Sequence, residues 1–332
     1  MTRTPATGSL LGLALGDALG APTEFQQVPS ILATHGPWRE MDLLAPVAWI
    51  TDDTQMALAV ARAAVQGELE PERFEPPLRA AFVAWLRSPD NNRAPGATCL
   101  RACRLLEAGH PWAEASQITS KGCGANMRVT PLGLLPGIGE EQRAGAAQLQ
   151  AALTHGHPTG LAAADLTAHA VHLLAQGAEP AGLLDALRDY ASRHRETYHE
   201  RWLGELWTRA GDASSREFIA RGWDECLAAL DRVDAAVRTA DPEADPCLAT
   251  GEGWVAEEAL ATALLCFLLF PGEPVMALRR AACTCGDSDS IAALAGAFAG
   301  AHHGGEAWPD AWVERLEHRD ELLALGAKWD PA

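Results

Sequence analysis

The sequence contains almost no run in which valine, isoleucine or threonine alternates with polar residues, so a sheet is not expected as its framework. Nor is there an excess of basic residues: 26 lysines and arginines stand against 44 aspartates and glutamates, a formal net charge of −18. A broad nucleic-acid surface needs clustered positive charge, so that class is set aside. The longest apolar run, "ALATALLCFLLF", falls short of the roughly 20 residues that cross a bilayer. No CxxC pair occurs among the cysteines Cys99, Cys103, Cys123, Cys226, Cys247, Cys266, Cys283 and Cys285, and their scatter argues against a secreted disulfide scaffold. The opening "MTRTPATGSLLGLALGDALG" lacks a clean signal-cleavage pattern, and Asp17 interrupts its apolar stretch. Together these absences predict a soluble cytoplasmic protein without a membrane partner, its cysteines serving as small buried thiols.

What is present is helical periodicity. "GSLLGLALGDALG", "TQMALAVARAAVQGEL", "FEPPLRAAFVAWLR", "AGLLDALRDYASRH", "SREFIARGWDECLAALDRVDAAVR", "VAEEALATALLCFLLF" and "PVMALRRAACTC" all suit helices. Between them lie Gly/Pro/Asn/Asp-rich loops at 87–98, 119–139, 153–160 and 239–254. None is linker-like, and the reading is one all-α domain over residues 1–332 with long functional loops.

Two acidic clusters stand out. Thr51, Asp52 and Asp53 open the helix in "WITDDTQMAL", and Asp287, Asp289 and Ser290 head the small-residue run "GDSDSIAALAGAFAGAHHG". Helix capping is one account: Thr or Asp is a good N-cap, first-turn acids suit the helix dipole, and Gln55 would complete a capping box. Geometry offers another. Neighbours on a helix diverge by about 100° and i,i+2 pairs by about 200°, so neither pair converges except at a loop-to-helix junction, where both clusters fall. Carboxylate and hydroxyl oxygens suit Mg²⁺ or Mn²⁺ rather than zinc, and two such clusters can build a two-metal site. Asp17, in "LLGLALGDALGAPTEF", fits packing or support of that site as well as it fits ligation, and spacing alone marks Glu24 as a surface acid.

Other residues read two ways. "SKGCGANMR" supplies glycine-permitted backbone N–H groups that can form an anion nest, or it is a plain turn. Lys121 and Arg128 fit surface charges and phosphate ligands equally. Trp254 is a stacking wall or a core residue. An all-α prenyl synthase also gathers magnesium with aspartates, but Met56 stands where the last acid of DDxxD belongs.

In order along the chain, "GSLLGLALGDALGAPTEF", "WITDDTQMAL", "GCGANMRVTPLGLL", "THGHPTG", "GWVAEEALATALLCFL" and "GDSDSIAALAGAFAGAHHG" resemble the ADP-ribosylglycohydrolase family, from about Gly8 to about Gly304. The resemblance implies a compact orthogonal helical bundle holding two Mg²⁺ ions, with Mn²⁺ as the alternative. By family pattern Thr51, Asp52 and Asp53 bind from one side and Asp287, Asp289 and Ser290 from the other, Ser290 replacing the usual threonine. Glu24 matches the family's glutamate beside the metals. Gly122, Cys123, Gly124, Met127 and His155 belong to the ADP-ribose lining, and Trp254 takes an aromatic position there; His157 has less claim.

The implied reaction is hydrolysis of the C1″ glycosidic bond of an ADP-ribosylated protein or small molecule, with ADP-ribosyl-arginine first. Serine-, nucleic-acid- or acetyl-linked ADP-ribose, or binding without catalysis, are the alternatives. Among Glu24, Asp52 and Asp53, Glu24 or Asp52 would take the proton. One departure concerns the leaving group: "APGATC" places Ala94 where arginine-directed relatives carry an aspartate, with Asp90 or Asn92 as replacements.

Overall fold

Glycine recurs every fourth residue in the first helix, at Gly8, Gly12, Gly16 and Gly20, which aligns four residues without side chains on one face. Against that face lies the helix Ser288–His303, so close that a Cβ on Gly12 would sit 2.1 Å from the Gly296 carbonyl oxygen and one on Gly16 2.0 Å from that of Ala292. No side chain fits there, and the two backbones are held nearly rigid against each other. Gly20, the last of the four, abuts Ser288 and Asp289, so this contact runs directly into the second acidic cluster.

The computed structural model describes residues 3–66, 69–239 and 241–331. The protein is all-α. Among the described residues twelve helices are nine residues or longer, and β-structure is limited to isolated bridges such as Gly122 to Val255. The helix Ser288–His303 is central and buried from Ser288 through Ala301. Pro5–Gly20, Ala256–Leu269, Pro274–Ala282 and Pro158–Ala175 all pack on it. Side chains from Ala6 to Trp329 join one core cluster, in which each fully buried Leu or Phe contributes about 1.5–3 kcal/mol. Asp330, just after the last helix, accepts bonds from the N–H groups of Ala6 and Thr7 and caps the first helix. No described helix is long and apolar enough to cross a membrane.

The seven periodic segments are all helical, with some differences at their ends. The helix expected to open on the Thr51–Asp53 cluster begins at Asp52 and ends at Gln66; its expected continuation over 67–68 lies outside the described residues. The segment 119–139 is not one loop, since it holds a 3₁₀ turn at Cys123–Ala125 and a short helix at Thr130–Leu134. Pro158, read as loop, is the first residue of the helix Pro158–Ala175, where its missing N–H costs nothing. All eight cysteines are buried and none is in a disulfide, as their scatter suggested.

Candidate metal and substrate site

Asp17 organises the first cluster from behind. It is fully buried, and its carboxylate accepts the Thr51 N–H at 3.0 Å, the Thr54 N–H at 3.1 Å and the Thr54 hydroxyl at 2.5 Å. This long-range cap satisfies the free donors that open the helix Asp52–Gln66, and it leaves Asp52 and Asp53 facing away from the cap. Gln55 forms no capping box; its amide accepts from the Trp85 indole and donates to the Asp90 carbonyl. The other junction is set by Gly286, whose φ of +96° suits glycine, and by the Asp287 N–H, which donates to the Glu252 carbonyl at 2.9 Å. The Asp287 side chain makes no capping bond. Capping therefore explains neither Asp53 nor Asp287.

The two clusters meet. Glu24, Asp287 and Asp289 each present a carboxylate oxygen within 4.8 Å of the others, and the Thr51 hydroxyl lies 3.4 Å from Asp289 Oδ2. Gly96 donates its N–H to Asp52 at 3.2 Å, and Ser290 donates its own to Asp289 at 3.0 Å. Asp53 Oδ2 is buried without any partner. Such crowding disfavours charge. Burial, then Asp289, Asp52 and Asp17, push Glu24 up to about 9. Burial raises Asp52 to about 8, the Gly96 N–H opposing and Asp289 and Asp17 adding, while burial and then Asp289 raise Asp17 to about 7. Asp53 and Asp287 are pushed well above the carboxylate range by burial and then by Asp289. Oxygen donors set this close, one of them unpartnered, fit hard divalent cations.

Glu24, Asp52, Asp53, Gly122, Cys123, Gly124, Met127, His155, Trp254, Asp287, Asp289 and Ser290 line one cavity of about 340 Å³, and Thr51 stands behind them. A larger groove of about 440 Å³ lies between the helices Asp52–Gln66 and Pro71–Leu86, but it has no carboxylate cluster and is not the chemical centre. His155 is buried, its Nδ1 2.8 Å from the Thr154 hydroxyl. Its Nε2 lies toward Gly122 and Gly124, and burial followed by Arg128 depresses its pKa, so it is neutral.

Several expectations change. Lys121 is no phosphate ligand, because it is paired with Glu225 and Glu257. Arg128 is not on the surface at all: it is fully buried, bonded to Gln150 and Thr154 and stacked on Phe82 at 4.5 Å. The run of free N–H groups is also curtailed, since those of Cys123, Ala125, Asn126 and Met127 are used within the loop or by the Trp254 carbonyl. Asp90 lines the other groove, and Asn92 does not line the site cavity. Ala94, Pro95, Gly96, Ala97 and Thr98 form its uncharged wall.

One residue of the cavity had no signal in the sequence. Phe25 is 69% exposed, has a φ of +63°, and stacks on Trp254 with ring centroids 5.2 Å apart and planes 17° from parallel. A non-glycine residue held at positive φ is strained, and strain of this kind gathers at functional sites. Only the preceding Glu24 hinted at its position.

The model of the family described as ADP-ribosylglycohydrolase matches residues 2–330. The chain belongs to the ADP-ribosylglycohydrolase family. Its relatives include the ADP-ribosyl-[dinitrogen reductase] glycohydrolase of Rhodospirillum rubrum, 27% identical over 339 residues, with 96% of each chain covered. The ADP-ribosylhydrolase ARH3 of Xenopus tropicalis is 31% identical over 350 residues, covering 97% of this chain and 93% of the relative. A solved structure titled "ADP-ribosylglycohydrolase-related protein complex" superposes with a TM-score of 0.68 at 25% identity, covering 97% of this chain and 95% of that one. Family membership carries with it hydrolysis of ADP-ribose linkages.

Proposed function

We propose that this protein is a metal-dependent hydrolase that cleaves the C1″ glycosidic bond of an ADP-ribosylated substrate and releases free ADP-ribose. The observation that carries the reading is the convergence of Glu24, Asp52, Asp53, Asp287 and Asp289 in one cavity, with Asp53 Oδ2 buried and unpartnered. So many carboxylates in one place call for cations, and Thr51, Asp52, Asp53, Asp287, Asp289 and Ser290 would hold two Mg²⁺ ions, with Mn²⁺ as the alternative. When bound, the ions supply charge neutralisation and polarise oxygen ligands.

The remaining chemistry falls to this chain's own groups. Glu24 suits proton acceptance better than Asp52, because Asp52 Oδ2 already takes the Gly96 N–H whereas Glu24 is only half-buried at the edge of the cavity. Negative charge kept on the carboxylates once cations are bound would stabilise the developing oxocarbenium charge. His155 and the loop Gly122, Cys123, Gly124 and Met127 would line the diphosphate and ribose. Trp254, with Phe25 stacked on it, offers an aromatic face for adenine or ribose.

Arginine-linked ADP-ribose on protein is the first substrate to offer; the name of the dinitrogen reductase glycohydrolase among the relatives supports a modified protein as the substrate class and leaves the linked residue open. A neutral, oxygen-linked leaving group is the second reading. It is favoured by the wall Ala94–Thr98, which sets no acid against a guanidinium. The test is to offer arginine-, serine-, acetyl- and DNA-linked ADP-ribose in parallel with Mg²⁺ or Mn²⁺ and to measure free ADP-ribose. Release from at least one substrate, abolished by chelation, is expected. Binding of ADP-ribose with no turnover of any of them would reduce the protein to a binding module.

A further inference from the structure

Arg128 is a buried cation that pairs with no carboxylate among the described residues, and the mechanism above does not use it. Its Nε donates to Gln150 Oε1 at 2.8 Å. One terminal nitrogen, Nη2, donates to the Gln150 carbonyl and to the Thr154 hydroxyl, both at 2.7 Å. The other, Nη1, lies against the sulfur atoms of Met56 and Cys99. A guanidinium can only donate, so the Thr154 oxygen must accept from it. The hydroxyl hydrogen then has two destinations: His155 Nδ1 at 2.8 Å, or the Ala151 carbonyl at 3.4 Å, in the last turn of the helix that ends just before Thr154. The shorter contact wins, since a 3.4 Å bond is near the limit at which a hydroxyl bond retains strength.

A hydroxyl that donates to Nδ1 fixes the tautomer of a neutral imidazole, because the ring proton must then reside on Nε2. That is the nitrogen turned toward Gly122 and Gly124 in the cavity wall. We infer that Arg128 and Thr154 are positioning residues that act through His155, orienting its Nε2–H into the cavity as a fixed donor for the diphosphate or ribose oxygens of the substrate. The inference deepens the proposed function and rests on it for the identity of the ligand. It also addresses a deficit in the site. The cavity has no lysine or arginine in its lining, and the N–H groups of Cys123, Ala125, Asn126 and Met127 are used within the protein, so a neutral donor of fixed direction adds to the few donors left for an anionic ligand. With the opposite tautomer, Nε2 would aim a lone pair at the same oxygens.

Two measurements test this. Long-range ¹H–¹⁵N NMR on histidine-labelled wild-type protein near neutral pH reports the tautomer directly and requires no substitution. A His155 signal of the Nε2–H form is expected, and an Nδ1–H form or a charged ring would overturn the relay. ADP-ribose binding by calorimetry is then compared for wild type, Thr154→Ser and Thr154→Val. Serine keeps the hydroxyl and should bind within about twofold of wild type, whereas valine, of similar shape, should bind about 10-fold or more weakly and lose the tautomer preference. Wild-type affinity in the valine variant, or loss of affinity in both variants with the fold intact by circular dichroism, would contradict the assignment. If wild type bound no ADP-ribose, the functional reading and the ligand assigned to Nε2 would fall together, while the NMR result would still decide the relay.

Discussion

Two regions of this molecule bury carboxylates, and they solve the problem differently. Asp165 is 1% exposed yet has what a lone acid requires: the Tyr190 hydroxyl at 2.8 Å and the Gln148 amide at 2.8 Å, with His169 stacked on Tyr190 at 3.7 Å. The cavity gathers Glu24, Asp52, Asp53, Asp287 and Asp289, and gives Asp52 one N–H donor, Asp289 the Ser290 N–H and the more distant Thr51 hydroxyl, and Asp53 Oδ2 none. Asp17 stands just behind that cavity and resembles Asp165, being saturated by Thr51 and Thr54. The difference teaches how to tell a structural acid from one that awaits a cation. Burial and elevated pKa are common to both; what separates them is the crowding of several acids in the cavity and the one buried oxygen there, Asp53 Oδ2, left without a partner.

Substitutions should divide along the same line. The largest effect is expected at Glu24: Glu24→Gln should lower kcat by about 10²–10⁴-fold in an ADP-ribose release assay, while Asp165→Asn leaves the rate within about twofold. Comparable losses at both positions would erase the distinction.

Next comes pH, where the cavity carboxylates and His169, beside Asp165, have opposite slopes. Glu24, Asp52 and Asp17 have folded-state pKa values of about 9, 8 and 7, so without metal the folded protein holds protons that the unfolded chain has lost. Stability is then complete below the ordinary carboxylate range and declines as pH rises from about 4 toward 9. His169 is held near 3 by burial and then by Arg143, so its contribution is present above the ordinary imidazole pKa and is lost as pH falls from about 6.5 toward 3. A tenfold change in a group's proton affinity on folding is worth about 1.4 kcal/mol at most, and less at the half-exposed Glu24, which solvent screens. The combined cavity effect should still reach several kcal/mol, carried mainly by the buried Asp52 and Asp17. Thermal melts with chelator across pH 4–9 should show the alkaline decline, and Mg²⁺ should reverse it, with a larger rise in Tm at pH 8 than at pH 6. A magnesium effect equal at both pH values would mean the carboxylates are not where the ion binds.

Asp17→Ala removes the cap of the Asp52–Gln66 helix and should cost about 3 kcal/mol in denaturant unfolding. Asp17→Asn, which keeps one acceptor, should cost less. Smallest is Asp165→Asn, at about 1–2 kcal/mol, because Asn still accepts from Tyr190.

Much of the fold was legible because amphipathic and apolar helices announce themselves by period. The Glu140–Ala152 and Pro158–Ala175 helices escaped notice because one is Ala/Gln-rich and the other opens on a segment of Gly, Pro and His typical of loops. The acidic clusters were legible because both fall at loop-to-helix junctions, the only place where adjacent acids converge. Glu24 was visible only through family resemblance, since no local rule distinguishes it from a surface acid. Asp17's role depended on hydrogen bonds to a helix start distant in sequence, which no spacing rule predicts. Lys121 and Arg128 were unreadable for the same reason: charge is written in the sequence and partners are not. Phe25 is exposed and unperiodic, and its positive φ and its stack on Trp254, neither written in the sequence, are what make it stand out.

The central claim is that the Thr51–Asp53 and Asp287–Ser290 clusters together hold the cations on which ADP-ribose release depends. The most direct test measures free ADP-ribose from a modified substrate, with and without Mg²⁺, for wild type, Asp53→Asn and Asp287→Asn. The account predicts magnesium-dependent release by wild type and loss of that dependence, with release near background, when either cluster is altered. Release by Asp287→Asn at the wild-type rate, or by wild type in excess chelator, would contradict it.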